Sequence, residues 1–312
     1  MIALLAIAGL AARAQSYGEP PTPRVVAFVQ VSLQRGDLVS ASALVAQYRK
    51  LNGDTPEALD ALSWLARGEL SAGNFADAIR YSREIRQASQ TALATRKLDA
   101  EPYLPIALGA AYEVEAQALV AQKQQREAIA LLKSALRTWR ETSIADRLQK
   151  NLNELTLEGT SVPRLEEAQW IGAKPAPLSA LRGKVVLLFF WAHWCADCKA
   201  EAPVIAHLAA ELGPKGLVVL APTRLYGYTA EEEHAAPSKE MPFIEKVYAH
   251  YYAAIPNAGV PVNTANFDRF GVSTTPTLVL IDRLGLVKLY HPGILDGAGL
   301  RAAIEPLLGA AR

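Results

Sequence analysis

The sequence predicts two domains in series: an all-α domain, then an α/β domain with a mixed central sheet and helices on both faces. Three observations carry this. From Arg24 to about Leu155 the pattern is helical and rich in Ala and Leu, with no strand-like stretch. From Leu157 to Gly183 prolines and glycines recur. Beyond Gly183, apolar strand-like runs alternate with helical segments. A length of 312 residues also suits two domains better than one. The predicted boundaries are 24–156 for the helical domain and 157–312 for the α/β domain.

Composition narrows the function classes. Hydrophobic residues make up 51% of the chain, so each domain can fill a core without a covalent staple. Lys and Arg number 32 against 31 Asp and Glu, which argues against nucleic acid or an anionic membrane surface as the main partner. Residues 1–14 form an apolar run ending in Ala12-Arg13-Ala14, the pattern of an export leader cleaved after Ala14. The run is too short to span a bilayer comfortably. The expectation is export to an oxidising, periplasmic or other extracytoplasmic compartment, where disulfides are available as substrates.

In the helical stretch, Asp54-Thr55-Pro56-Glu57 reads as a helix start: a capping side chain, a proline in the first turn and an acid facing the positive helix end. Leu62, Leu65-Ala66, Gly73, Phe75 and Ala78, with a weaker copy at Tyr112, Ala116, Ala128, Leu132 and Ala135, resemble tetratricopeptide repeats. The copies are 50 residues apart (Ala78 to Ala128), so an extra or lengthened helix is expected near 91–105. Such a domain holds a protein partner, or serves as a spacer or dimerisation unit.

In the second half, Val185–Trp191 is a continuous apolar run, as for a strand covered on both faces. Helices are expected at Ala196–Leu212, Lys239–Tyr252 and Gly297–Leu308. Further strands are expected at Leu217–Ala221, Thr277–Asp282 and Leu286–Tyr290. Cys195 and Cys198 are the only cysteines, so they cannot be half of a four-cysteine zinc site. Cys195 stands where a buried strand runs into a helix. Unpaired amide N–H groups and the positive helix end there favour thiolate. Cys198, one turn on, can attack a mixed disulfide formed at Cys195. The five histidines are scattered, and no metal site is expected.

Phe190-Trp191-Ala192-His193-Trp194-Cys195-Ala196-Asp197-Cys198-Lys199-Ala200-Glu201-Ala202-Pro203, with Thr275-Pro276-Thr277 and the strand after it, resembles exported thioredoxin-fold thiol–disulfide oxidoreductases of the TlpA/ResA type. The likeness covers roughly 157–312. It implies that Pro276 follows a cis peptide bond beside the cysteines and that Thr275 pairs with substrate backbone. It also implies that Glu201, three residues after the second cysteine, is the acid–base group. Thioredoxin's own buried aspartate has no counterpart, because Phe189 occupies that position. Trp194 is expected to cover the sulfurs. Asp197 is expected to oppose thiolate at Cys195, while Lys199 favours it.

The resulting expectation is a reductant of protein disulfides, with Cys195 attacking and Cys198 resolving. It needs no cofactor beyond that pair and is recharged by a membrane or soluble thiol donor. Two rivals stand beside it. One is a thiol peroxidase on the same fold, disfavoured because Ala192 stands where that family presents a threonine. The other is a helical scaffold whose partner binding the cysteine pair modulates. Residues 226–262 exceed what the minimal fold needs and either shape a partner groove or cover the sheet.

Overall fold

The computed structural model describes residues 20–167, 169–172 and 174–309, so the leader expected at 1–14 lies outside the described residues. Seven helices come first: α1 (Arg24–Gln34), α2 (Leu38–Asn52), α3 (Pro56–Ser71), α4 (Phe75–Leu93), α5 (Leu104–Ala121), α6 (Gln125–Trp139) and α7 (Ala145–Thr156). Helix α3 starts as its residues dictate: Thr55 Oγ1 accepts the Ala58 N–H at 3.3 Å, and Pro56 occupies the first turn. Gly73 makes the α3–α4 turn with φ +81°, a left-handed conformation that costs glycine little. Ala66, Ala78, Ala116 and Ala128 are all buried, so small residues let these helices approach closely. The expected lengthening at 91–105 is a long α4, a short 3₁₀ turn at Leu98–Ala100 and an early start to α5.

The second domain runs β1 (Trp170–Ile171), β2 (Val185–Phe190), α8 (Ala196–Leu212), β3 (Leu217–Leu220), α9 (Pro237–Tyr251), β4 (Val260–Pro261), α10 (Thr264–Phe270), β5 (Thr277–Ile281), β6 (Val287–Pro292) and α11 (Gly297–Gly309). The main sheet has the order β3-β2-β5-β6, with β2 parallel to β3 and antiparallel to β5, and β6 antiparallel to β5. All six residues of β2 are buried. Its odd positions Val185, Leu187 and Phe189 share a core with Ile205 and Leu208 of α8, Ile244 of α9, and Leu300 and Ile304 of α11. The even positions Val186, Leu188 and Phe190 pack with Phe267 and Phe270 of α10 on the opposite face. Period-two alternation thus feeds two helical layers. Each such buried Leu, Val or Phe stabilises the fold by roughly 1.5–3 kcal/mol.

The differences from the sequence reading are local. Strand β2 ends at Phe190, the last residue paired with β5 (opposite Thr277), while the Trp191 N–H still bonds the Pro222 carbonyl beyond β3 at 3.1 Å. Helix α10 and the two-residue strands β1 and β4, which pair antiparallel, were not expected, being too short to develop a period. Residues 226–262 supply α9 and β4. Tyr252 at the end of α9 is fully buried, with its ring centroid 4.3 Å from that of Trp191, so this segment covers the sheet.

The two domains meet along α7. Asn153 Nδ2 donates to the Phe270 carbonyl at 2.9 Å, and within the second domain the Tyr290 hydroxyl of β6 lies 2.8 and 3.1 Å from the Phe270 and Gly271 carbonyls. Gly271 ends α10 with φ +62° and lies against the α7 backbone, where a Cβ would come within 2.4 Å of the Lys150 nitrogen. No helix among the described residues is long and apolar enough to cross a membrane.

Candidate active site

Strand β2 delivers residues 191–194 to the start of α8, and Cys195 caps that helix. Cys195 and Cys198 form a disulfide with a Cα–Cα distance of 5.3 Å. Cys195 Sγ accepts the Cys198 N–H at 3.0 Å, so an amide that the helix leaves unpaired already points at this sulfur. Cys195 is 3% exposed and Cys198 0%, which makes Cys195 the outer of two nearly covered sulfurs. A thiolate at Cys195 would keep that N–H bond and the positive helix end, both of which favour ionisation.

The β2–β5 register places Thr277 opposite Phe190, so Thr275 and Pro276 lie at the same end of the sheet as the disulfide. The Thr275–Pro276 bond is cis. Thr275 is half-buried, and its Oγ1 has no partner. The Pro276 carbonyl accepts the Gly293 N–H at 2.7 Å, and two residues on the Leu295 N–H donates to Glu201 Oε1 at 3.1 Å. One loop therefore touches both the proline segment and Glu201.

Glu201 lies three residues after Cys198 on α8 and hence on the same helix face. It is buried, and its second oxygen has no partner. Burial raises its pKa to about 7; the Leu295 N–H works against the shift and Asp197 adds to it. Trp194 is 40% exposed beside the disulfide, its ring edge-on to Tyr226 at 5.7 Å. Asp197 is exposed. Lys199 stands over the Tyr251 ring at 4.9 Å, with burial lowering its pKa.

The sequence reading missed His193 and Glu240. Both are buried, with His193 Nε2 3.5 Å from Glu240 Oε1. Glu240 also accepts the Tyr226 and Gly227 N–H groups. Rings of Tyr226, Tyr228 and Phe243 stand edge-on around His193 at 5.3, 4.9 and 5.2 Å. Forty-seven residues separate His193 from Glu240 (240 − 193), so no spacing rule could have paired them. Burial, and then Lys199, hold the His193 pKa down to about 4 despite the nearby carboxylate. The imidazole is neutral at pH 7.

A depressed pKa on a base means that the unfolded chain takes up the proton first as pH falls. Stability owed to neutral His193 is complete above about pH 6.5 and drains away toward pH 4. In urea titrations, His193→Gln is expected to remove about 2 kcal/mol of that acid loss between pH 7.5 and 4.5. Identical acid losses in the two proteins would refute this. Among the described residues, no group of three or more His, Cys, Asp or Glu is placed to hold a metal ion.

Fold and site together define a thioredoxin-fold domain carrying a Cys-x-x-Cys pair at the start of a helix. Residues 159–236 match the model of the AhpC/TSA family. The chain is 29% identical over 128 residues to the thiol:disulfide interchange protein DsbE of Xylella fastidiosa, covering 41% of this chain and 57% of that relative. It is 37% identical over 75 residues to the thiol-disulfide oxidoreductase ResA of Oceanobacillus iheyensis, covering 23% of this chain and 39% of that relative. A crystal structure of a putative thiol:disulfide interchange protein DsbE from Chlorobium tepidum is 29% identical, with a TM-score of 0.37, covering 49% of this chain and 98% of that one. The chain thus spans less than two thirds of the length of the first two. Its C-terminal half is similar to thiol–disulfide oxidoreductases of the DsbE and ResA kinds.

Proposed function

We propose that the chain is a thiol–disulfide oxidoreductase that reduces disulfides in other proteins. The observation that carries this reading is the Cys195–Cys198 disulfide at the start of α8, with the outer sulfur accepting the Cys198 N–H. In the reduced form the Cys195 thiolate attacks one sulfur of a substrate disulfide, making a mixed disulfide and releasing the other substrate sulfur as thiolate. Cys198, deprotonated, then attacks Cys195 Sγ and expels the second substrate thiolate. Two electrons pass to the substrate, and the chain is left with the Cys195–Cys198 bond. Glu201 takes the Cys198 proton and returns it to a leaving sulfur, a role suited to a carboxyl with pKa about 7. Thr275 and Pro276 line the substrate groove, Trp194 shields the sulfurs, and Asp197 and Lys199 bias the Cys195 thiolate in opposite directions.

Beyond the site, the sequence supports export and partner binding. Residues 1–14 act as a leader removed after Ala14, so the protein works outside the cytoplasm and draws electrons from a membrane or soluble thiol donor. The helical domain, with its repeat-like small-residue contacts, offers a partner surface. The assay is insulin reduction by dithiothreitol with protein at substoichiometric amounts, alongside hydrogen peroxide consumption. Precipitation accelerated by the wild type and not by Cys195→Ser, without peroxide turnover, is the expected result. Peroxide turnover without insulin reduction would replace this reading with the peroxidase.

A further inference from the structure

Helix α7 belongs to the helical domain, yet two of its side chains reach segments that lead to the disulfide site by separate routes, one to Trp194 and one to Thr275 and Pro276. On one side, Arg224 follows β3 and its Nη1 lies 3.5 Å from Asp146 Oδ2 of α7. The same guanidinium stands over the Tyr226 ring at 5.2 Å and the Phe267 ring at 4.9 Å. Tyr226 in turn meets Trp194 edge-on at 5.7 Å and His193 at 5.3 Å, and its backbone N–H is held by Glu240. Trp194 immediately precedes Cys195. On the other side, Asn153 of α7 binds the Phe270 carbonyl and Gly271 lies on the α7 backbone. Four residues after Gly271 the chain reaches Thr275 and Pro276. Both Asp146 and Arg224 are about one quarter exposed, so solvent screens their ion pair only in part.

We propose that α7 is a positioning element of the redox site, with Asp146, Arg224 and Asn153 as positioning residues: the Asp146–Arg224 pair sets Tyr226 and through it Trp194, and Asn153 fixes the segment that leads to Thr275 and Pro276. The proposal rests on the oxidoreductase reading. It gives the helical domain a part in disulfide exchange that does not require any partner bound on its surface. In this proposal a polypeptide spans both segments, whereas a small disulfide needs only the sulfur of Cys195, so loosening them weakens the handling of protein substrates far more than reaction with small disulfides.

The test uses the full chain and the variants Asp146→Asn, Arg224→Gln, their double mutant, Asp146→Glu and Asn153→Ser. Insulin reduction and reaction of the reduced protein with a small aromatic disulfide are measured well below the midpoint of unfolding of each variant. The expected result is a KM for insulin raised about fivefold in the two single charge variants, the scale of a coupled-site effect. The rate with the small disulfide stays at the wild-type value. The double mutant is expected to be no worse than either single, and Asp146→Glu to recover most of the loss. An unchanged insulin KM in Asp146→Asn and Arg224→Gln overturns the proposal, and so does an equal loss with both substrates, which marks general damage to the dithiol. Asn153→Ser, with a buried partner at stake, is judged by the ratio of its two activities and not by its stability. If the wild type itself reduces neither substrate in a Cys195-dependent way, the oxidoreductase reading fails first, a result distinct from active wild type with indifferent variants.

Discussion

Cys198→Ser is expected to accumulate covalent complexes with disulfide-bearing proteins, whereas Cys195→Ser forms none and loses disulfide reduction by about 10³-fold or more. The asymmetry follows from where α8 begins. Cys195 caps the helix and is the outer sulfur, which in the proposed function makes it the one that a substrate disulfide reaches. The Cys198 N–H already points at Cys195 Sγ and would hold a thiolate there. Cys198 is fully covered and one turn into the helix, placed to attack only what Cys195 has already captured. With Cys198 replaced, the second displacement is removed and the first product persists. Non-reducing electrophoresis of the two variants, incubated with an oxidised protein substrate, reads this directly. Trapping of equal strength by both variants would overturn the assigned order of attack.

Glu201→Gln is expected to slow exchange about 10²-fold, the scale of a lost acid–base group, and at the same time to stabilise the oxidised protein at alkaline pH. Burial, supplemented by Asp197 and opposed by the Leu295 N–H, raises the Glu201 pKa to about 7. Its unfolded value is the ordinary carboxylate one, near 4.5. The folded protein therefore holds an extra proton between those two values. Stability from this group is complete below about pH 4.5 and declines as pH rises through about 7, after which a buried anion persists. Replacing the carboxyl by an amide removes that cost, a gain of about 2 kcal/mol at pH 8 and almost none at pH 4.5. Chemical denaturation of the oxidised form at both pH values checks the sign. A gain of the same size at both would mean that packing, not ionisation, is responsible. The rate with wild-type protein is expected to climb between pH 6 and 8, and the Gln variant to lose that Glu201-dependent rise.

Much of this was legible in the sequence because the relevant signals are local. The six apolar residues of β2 announce a strand buried on both sides, and Thr55-Pro56 announces the start of α3. Cys195 and Cys198 share one helical turn, so their partnership needs no tertiary knowledge. Glu201 is one turn further, and its burial depends on the loop carrying Leu295, 94 residues away (295 − 201). The His193–Glu240 pair is wholly tertiary: β2, which leads into His193, and α9 must both be in place before the two side chains meet. Helix α10 has seven residues, too few to display a period, yet its Phe267 and Phe270 fill the face of the sheet under Phe190. Likewise, nothing local to Asp146 or Arg224 marks them as neighbours, since a helix of one domain must first settle on the other.

The bare α-carbon at 271 has a consequence for how this architecture can be built or rebuilt. Because even a methyl group there would intrude on the main chain of α7, the halves fit as lock and key at that point, and neither can be exchanged for an unrelated module without re-cutting the mating surface. Grafting a foreign helical array onto the redox half, even through a generous tether, would leave the carbonyl of residue 270 without its amide donor from α7. Interchange of modules here is a problem of surface fit before it is one of linker length.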